Sequence, residues 1–172
     1  MADKLDIIIG IAIISLCFGG IGAFMCVKYN AAMKLKNKIR DEWASIIAEI
    51  NYRFELSTSY IQVVQTVADV NLLNTLVNLI NRYHTLAAVQ DVIDCYYQQE
   101  QLLLQINQYV TQSGLNVAEW TQAYVDNKSR IEALRNTYNN DQLAMNNIVA
   151  SFPTNLMCKA GGFAKGAYFR GE

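Results

Sequence analysis

The segment Leu5–Val27 reads LDIIIGIAIISLCFGGIGAFMCV, and from Ile7 to Val27 it carries no charged side chain. A helix of about 20 mainly apolar residues crosses a bilayer core of about 30 Å, so this stretch predicts a transmembrane helix preceded by a short tail, residues 1–4. A cleaved signal peptide fits less well. The run is long, Asp3 and Asp6 stand at its start, and Met25-Cys26-Val27-Lys28 offers no small-residue exit. Ser15, Gly19 and Ala23 recur every four residues within it and put small side chains on one helix face, where another membrane helix could pack.

Flanking charge gives the orientation, because Lys and Arg near a span stay on the cytoplasmic side. Only Lys4 and the amino terminus precede the segment, whereas Lys28, Lys34, Lys36, Lys38 and Arg40 follow it. The expectation is a single-pass protein of the cell (inner, cytoplasmic) membrane, with its N-terminus outside and the bulk of the chain in the cytoplasm. The basic cluster Lys28–Arg40 would meet anionic headgroups of the lipid bilayer.

With the span set aside, about 145 residues remain, enough for one domain with a sizeable core. A formal net charge of −1 provides no global field for nucleic acid, so none is expected as a partner. Cys17 and Cys26 fall in or at the edge of the span, and Cys95 and Cys158 lie far apart. That spacing suggests neither a metal site nor a disulfide framework, and no cofactor is expected.

The sole proline is Pro153, and no glycine occurs among the 86 residues from Lys28 to Ser113, so nothing there forces the backbone out of a helix. The domain reads as all-α. After Asn116, spacings of three and four pick out Val117, Trp120, Tyr124, Asn127, Ile131, Leu134, Tyr138, Asp141, Met145, Ile148 and Phe152 as a coiled-coil-like seam. A matching seam runs through Ile39, Trp43, Ile46, Ile50, Arg53, Ser57, Tyr60, Val64 and Val67. Its continuity with the span predicts one rod of roughly 60 residues, about 90 Å long.

The chain must reverse, since one helix from Leu5 to Gln112 would leave its apolar face uncovered. Ala68–Asn71 is the expected break, with Tyr83–Gln90 as the alternative. Ser113-Gly114-Leu115-Asn116 supplies a glycine C-terminal cap followed by an Asn N-cap. The expected architecture is an antiparallel coiled-coil-like bundle of three, or with the second break four, helices over residues 28–152, followed by a C-terminal tail, 153–172. In the three-helix version the tail caps the bundle away from the bilayer; in the four-helix version it returns to the membrane.

The chain resembles the LemA family, single-pass bacterial membrane proteins with a long-helix bundle. The resemblance rests on Tyr29-Asn30, Trp43 and Arg53-Phe54-Glu55-Leu56 near the span. At the other end it rests on Tyr138-Asn139, Phe152-Pro153-Thr154-Asn155-Leu156 and Gly162-Phe163. It departs from the family at Thr58, where members carry proline, at Val110 and at Met145. It implies an N-out anchor and a cytoplasmic helical bundle, and no enzymatic reaction.

The acids are scattered, no Glu-x-x-His pair or phosphate loop occurs, and His84 has no nucleophile beside it in sequence. Arg53, Asn127 and Asp141 interrupt the seams, and they are the polar residues expected inside the bundle. Counting helical rise along two parallel helices pairs Arg53 with Asp141. Asn71, Asn74, Asn78, Asn81, Gln98 and Gln99 form a low-charge region suited to self-association. The expectation is therefore a non-enzymatic membrane-anchored scaffold that forms a homo-oligomer or recruits an envelope protein. The alternative is a membrane-linked sensor bundle that binds a small ligand or partner.

Overall fold

The computed structural model describes the backbone of residues 2–170, with side-chain environments at Ile9, Ser15, Leu16 and from Gly19 to Arg170. It has five described helices: α1 (Ala2–Val64), α2 (Val70–Tyr83), α3 (Val89–Ser113), α4 (Ala118–Ala150) and α5 (Thr154–Ala160). No strand occurs among the described residues, so the all-α expectation holds. Among those residues no helix is long and apolar enough to cross a membrane. Most side chains of 5–18, on which the reading of a span depends, lie outside them.

Both expected breaks exist. After Val64 the chain tightens through Val67 and Ala68 amides that bond back to the Val64 carbonyl. Asp69 then caps α2, its carboxylate accepting from the Asn71 and Leu72 amides at 2.6 and 3.4 Å. The second break, between Tyr83 and Val89, contains neither glycine nor proline. There the Thr85 and Leu86 amides bond to Arg82 and Tyr83 carbonyls, and α3 starts at Ala88 with no side-chain cap. At the third turn Gly114 adopts φ 72°, the left-handed cap, and Asn116 Oδ1 accepts from the Ala118 amide at 3.1 Å.

The chain divides into two compact units. One comprises 41–139 and 167–172 and contains the end of α1, all of α2 and α3, and the start of α4. Its helices run up, down, up, down. Phe54 of α1 stacks on Tyr83 of α2 with ring centroids 4.1 Å apart, while Tyr60 and Val64 share a core cluster with Leu73 and Leu76, so α2 is antiparallel to α1. Arg53 meets Glu100 and Tyr60 meets Asn107, seven residues further along both helices, so α3 runs parallel to α1. Ser57 meets Tyr124 and Glu49 meets Arg130, so α4 is antiparallel to it. Four helices, rather than the favoured three, follow from the second break.

Of the seam positions in this unit, Ile46, Ile50, Tyr60, Val64, Ile131 and Tyr138 are buried, as are Arg53, Ser57 and Asn127, while Trp43, Val67, Val117, Trp120, Tyr124 and Leu134 are half-buried. In this unit the end of the tail is held by α4. Asn139 Nδ2 donates to the Phe169 carbonyl at 2.7 Å, its Oδ1 accepts the Phe169 amide at 2.8 Å, and the Tyr138 hydroxyl donates to the Ala167 carbonyl. The Phe169 ring is fully buried, edge-on to Trp43, Tyr96 and Tyr97.

The other unit comprises 1–40 and 140–166, with the start of α1, the end of α4 and α5. Ala32, Met145, Cys158 and Phe163 form its buried cluster, flanked by Leu35, Ile39, Ile148, Val149 and Met157. The Phe163 ring stands edge-on to Tyr29 at 5.7 Å, and Lys36 Nζ lies 5.3 Å from its centroid. Residues 154–163 therefore pack beside the stretch that follows the apolar segment. This corrects the expectation of a cap at the far end, and the number of reversals is the physical reason. Asn146 holds Gly166 by two bonds, to its carbonyl at 3.2 Å and from its amide at 3.0 Å.

A Cβ on Gly114 would meet nothing within 4 Å, so Gly114→Ala tests backbone conformation without a steric clash. An L-residue in the left-handed region costs about 1–2 kcal/mol. The variant should lose about that much stability, read as an earlier denaturant midpoint with an unchanged slope.

Candidate functional site

The polar interior of the larger unit is where charge collects. Arg53 projects from α1 at a seam position and is only 4% exposed. Its guanidinium sits 5.2 Å from the Tyr96 ring and 5.4 Å from the Tyr124 ring, two π-faces that favour a cation over bare hydrocarbon. Its Nη2 donates to Glu100 Oε1 at 3.1 Å, and its Nη1 donates to Asn127 Oδ1 at 3.3 Å and to the Tyr124 carbonyl at 3.5 Å. Glu100 Oε1 also receives Lys128 Nζ at 3.1 Å.

A second layer orients the first. Asn127 Nδ2 donates to the Glu49 backbone carbonyl and to Glu49 Oε2, each at 2.9 Å. That same carboxylate oxygen takes Arg130 Nε at 3.0 Å. Fully buried Gln99 donates to Ser57 Oγ at 2.6 Å and to the Arg53 carbonyl at 3.3 Å, and Ser57 Oγ lies 3.0 Å from the Tyr124 hydroxyl. Beside this network a cleft of about 300 Å³ is lined by Arg53, Glu100, Asn107, Thr121, Tyr124 and Lys128, with Leu103, Leu104 and Val125 as its apolar wall.

The acidic partner of Arg53 is Glu100, which corrects the expected pair with Asp141. Asp141 Oδ2 instead lies 2.6 Å from Lys38 Nζ. The expected pair assumed a first and last helix running the same way, whereas contacts along α1 and α4 advance in opposite directions. Arg53 and Asn127 are brought together as polar seam residues. Glu49 and Glu100 were not singled out, Tyr124 was read only as an apolar seam residue, and Gln99 as part of an exposed amide-rich surface. Gln99 lay unrecognised within the amide-rich run, and Glu100 sits one position off the apolar stripe, reachable only once α3 is known to be parallel to α1.

The motif residues divide by role. Trp43, Tyr138 and Asn139 hold the tail end in the larger unit, Trp43 with its ring 5.7 Å from Tyr138. Tyr29 and buried Phe163 meet in the smaller one, where Gly162 takes φ 67°. Leu56 is half-buried and Asn30 exposed. Phe152 and Leu156 are exposed, against the seam reading of Phe152, while Pro153 and Asn155 are half-buried. Ser15, Gly19 and Ala23 are exposed, and a Cβ on Gly19 would meet no atom of the chain within 4 Å. Gln99 apart, the amide-rich residues Asn71, Asn74, Asn78, Asn81 and Gln98 are exposed.

Among the described residues no group of three or more His, Cys, Asp or Glu could hold a metal ion. No family model, curated protein or solved structure matches the chain.

Burial pushes the tyrosine hydroxyls around the polar interior upward. Tyr83 rises to about 12, with the Cys95 thiol adding to the rise. Tyr96 and Tyr124 also rise through burial, against the lowering by Arg53 on both and by the Ser57 hydrogen bond on Tyr124. A phenol is neutral when protonated, so below about pH 10 both folded and unfolded chains keep the proton and the contribution is fully present. Above that the unfolded chain releases protons that the folded chain still holds, so stability falls as pH rises towards about 12. Ultraviolet titration should show the buried tyrosinates, Tyr83, Tyr96 and Tyr124, appearing together with the loss of helical circular dichroism.

The ion pair makes an asymmetric prediction. Glu100→Leu leaves a buried guanidinium without its carboxylate and should cost about 3 kcal/mol or more. Arg53→Met leaves Glu100 with Lys128 and should cost less. In the double variant the penalties should fall short of their sum by about 1–3 kcal/mol in denaturant melts.

Proposed function

We propose that this chain is a non-enzymatic, membrane-anchored scaffold. The segment Leu5–Val27 is its single-pass anchor, with the N-terminus outside and the bundle on the cytoplasmic side of the cell membrane. The helical bundle presents a surface on which a second copy docks and through which an envelope protein can be recruited. The uncharged length of that segment, the one-sided basic cluster and the LemA resemblance support the anchor and its orientation.

The carrying observation is the face of the α2–α3 pair. Asn71, Asn74, Asn78 and Asn81 on α2 and Gln98 on α3 are all exposed. Two of them, Asn78 and Gln98, line an open cleft of about 800 Å³ together with Thr75, Arg82, Asp94, Tyr97 and Gln101. Neutral amides can hydrogen-bond across an interface, and a formal net charge of −1 leaves little repulsion between copies. The charges of the polar interior, by contrast, are tied to one another, as befits a register lock rather than a reaction site.

A second reading, a sensor bundle, draws on the 300 Å³ cleft beside Arg53 and Lys128. Its mark would be a thermal shift with some member of a metabolite panel that is abolished in Lys128→Ala.

The scaffold reading is tested by sedimentation of the detergent-solubilised full chain and by crosslinking in native membranes. A concentration-dependent dimer or larger species is expected. Asn74→Lys with Asn78→Lys should weaken it at least about tenfold, roughly 1.4 kcal/mol, without lowering the melting temperature. A strict monomer at every concentration with no crosslinked product overturns it.

A further inference from the structure

We propose that the corner joining α4 to α5 is a second membrane contact, a foot that seats Phe152 and Leu156 in the surface of the leaflet beside the end of the apolar segment. The proposal rests on the reading of Leu5–Val27 as a span. Phe152 is 80% exposed and Leu156 59% exposed, although neighbouring Thr154 and Cys158 are buried. The exposure is built into a fixed turn. Thr154 Oγ1 donates to the Ile148 and Ser151 carbonyls at 2.7 and 2.8 Å, and the Asn155 amide donates to the Ser151 carbonyl at 2.7 Å. The corner therefore holds two large apolar side chains outward.

Its height matches the end of the apolar segment. Within this unit Asp141 pairs with Lys38, and Met145 shares a cluster with Ala32. These contacts set α4 antiparallel to α1, and both helices rise by about 1.5 Å per residue. At equal rise Ala150, the last residue of α4, lies nine residues beyond Asp141 and so level with Tyr29, nine residues before Lys38, and the corner that carries Phe152 follows directly after it. Val27 and Phe24 are themselves exposed, and Lys28 Nζ lies 5.6 Å from the Phe24 centroid. An apolar corner at that level meets the boundary between headgroups and acyl chains.

The surrounding charge fits the same surface. Across residues 28–40 and 140–166 the sole acid is Asp141, which pairs with Lys38, whereas Lys28, Lys34, Lys36, Arg40, Lys159 and Lys165 are all basic. Anionic lipid is the complementary partner. A second copy carrying the same basic surroundings would be repelled from this corner.

The test uses the full chain in phosphatidylglycerol-containing vesicles whose acyl chains carry bromine at a shallow or a deep position. Phe152→Trp adds a reporter at the corner, and the Trp43 and Trp120 emission of the unsubstituted protein is subtracted as background. Leu16→Trp reports on the span. Shallow bromine should quench the Phe152→Trp emission more than deep bromine, while deep bromine should quench Leu16→Trp more. Quenching of Leu16→Trp with none at Phe152→Trp overturns the foot and leaves the span intact. No quenching at either position overturns the span and the foot with it. Emission at the corner that follows protein concentration but not bromine means that a second copy covers it, and the proposal fails. Leu156→Trp repeats the measurement should Phe152→Trp not fold.

Discussion

A guanidinium removed from water must find its partners where the backbone leaves it, and Arg53 imposes that condition on the larger unit. Glu100 comes from α3, Asn127 and the Tyr124 carbonyl from α4, and the stacking rings from both. An apolar seam tolerates a slip of one helical turn at modest cost, because one aliphatic contact replaces another. Arg53 does not, since a slip would strand a buried charge at a cost of several kcal/mol. The offset of seven residues that carries the Arg53–Glu100 contact to Tyr60–Asn107 shows the two parallel helices held in step. A network of this kind adds little net stability over a well-packed apolar core. Its effect is to select one register among several of similar apolar burial.

The direction of α4 follows from the same geometry. Once α2 and α3 each reverse the chain, α4 must descend beside α1, and every polar contact between them obeys that sense: Ser57 with Tyr124, then Glu49 with Arg130. The described part of the tail after α5, residues 161–170, has no helix or sheet ladder of its own, so its backbone groups need side-chain partners. An asparagine side-chain amide presents an N–H donor and a carbonyl acceptor side by side on one edge, and Asn139 uses both on Phe169. In the smaller unit Asn146 does the same for Gly166. This is how an irregular segment can lie against a helix without leaving polar groups unpaired.

Much of the helical interior was legible in the sequence because side-chain burial follows the 3.6-residue period directly. Ile46, Ile50, Tyr60 and Val64 on one seam and Ile131, Tyr138 and Met145 on the other are buried as spaced, and the polar interruptions Arg53, Ser57 and Asn127 are buried with them. The partner of Arg53 was not legible, because it depends on the number of reversals. The turn between Tyr83 and Val89 carries no glycine, proline or side-chain N-cap, so local chemistry scarcely marks it. It exists because α2 and α3 bury their apolar faces better folded together than extended, which is a tertiary cause. Phe152 failed for the related reason that the seam spacing runs on past the last residue of α4 into a turn, where helical periodicity no longer governs which way a side chain points.

The smaller unit is closed by few large side chains. Ala32, fully buried, lets the chain approach α1 closely, and Met145, Cys158 and Phe163 complete a cluster that covers only one side of the helix. Leu16, Ile21, Phe24 and Val27 stay exposed within the same unit, and so do Phe152 and Leu156. Apolar surface on that scale is unfavourable in water and asks for an apolar neighbour. Under the proposed anchor, one environment answers both requirements: acyl chains cover the helix, and the adjoining interface accepts the corner, with the lysines between them facing headgroups. The uncovered apolar surface of the smaller unit and the polar network of the larger one are thus two solutions to one constraint, the first leaving its apolar side chains to an outside solvent and the second pairing the Arg53 charge with Glu100 internally.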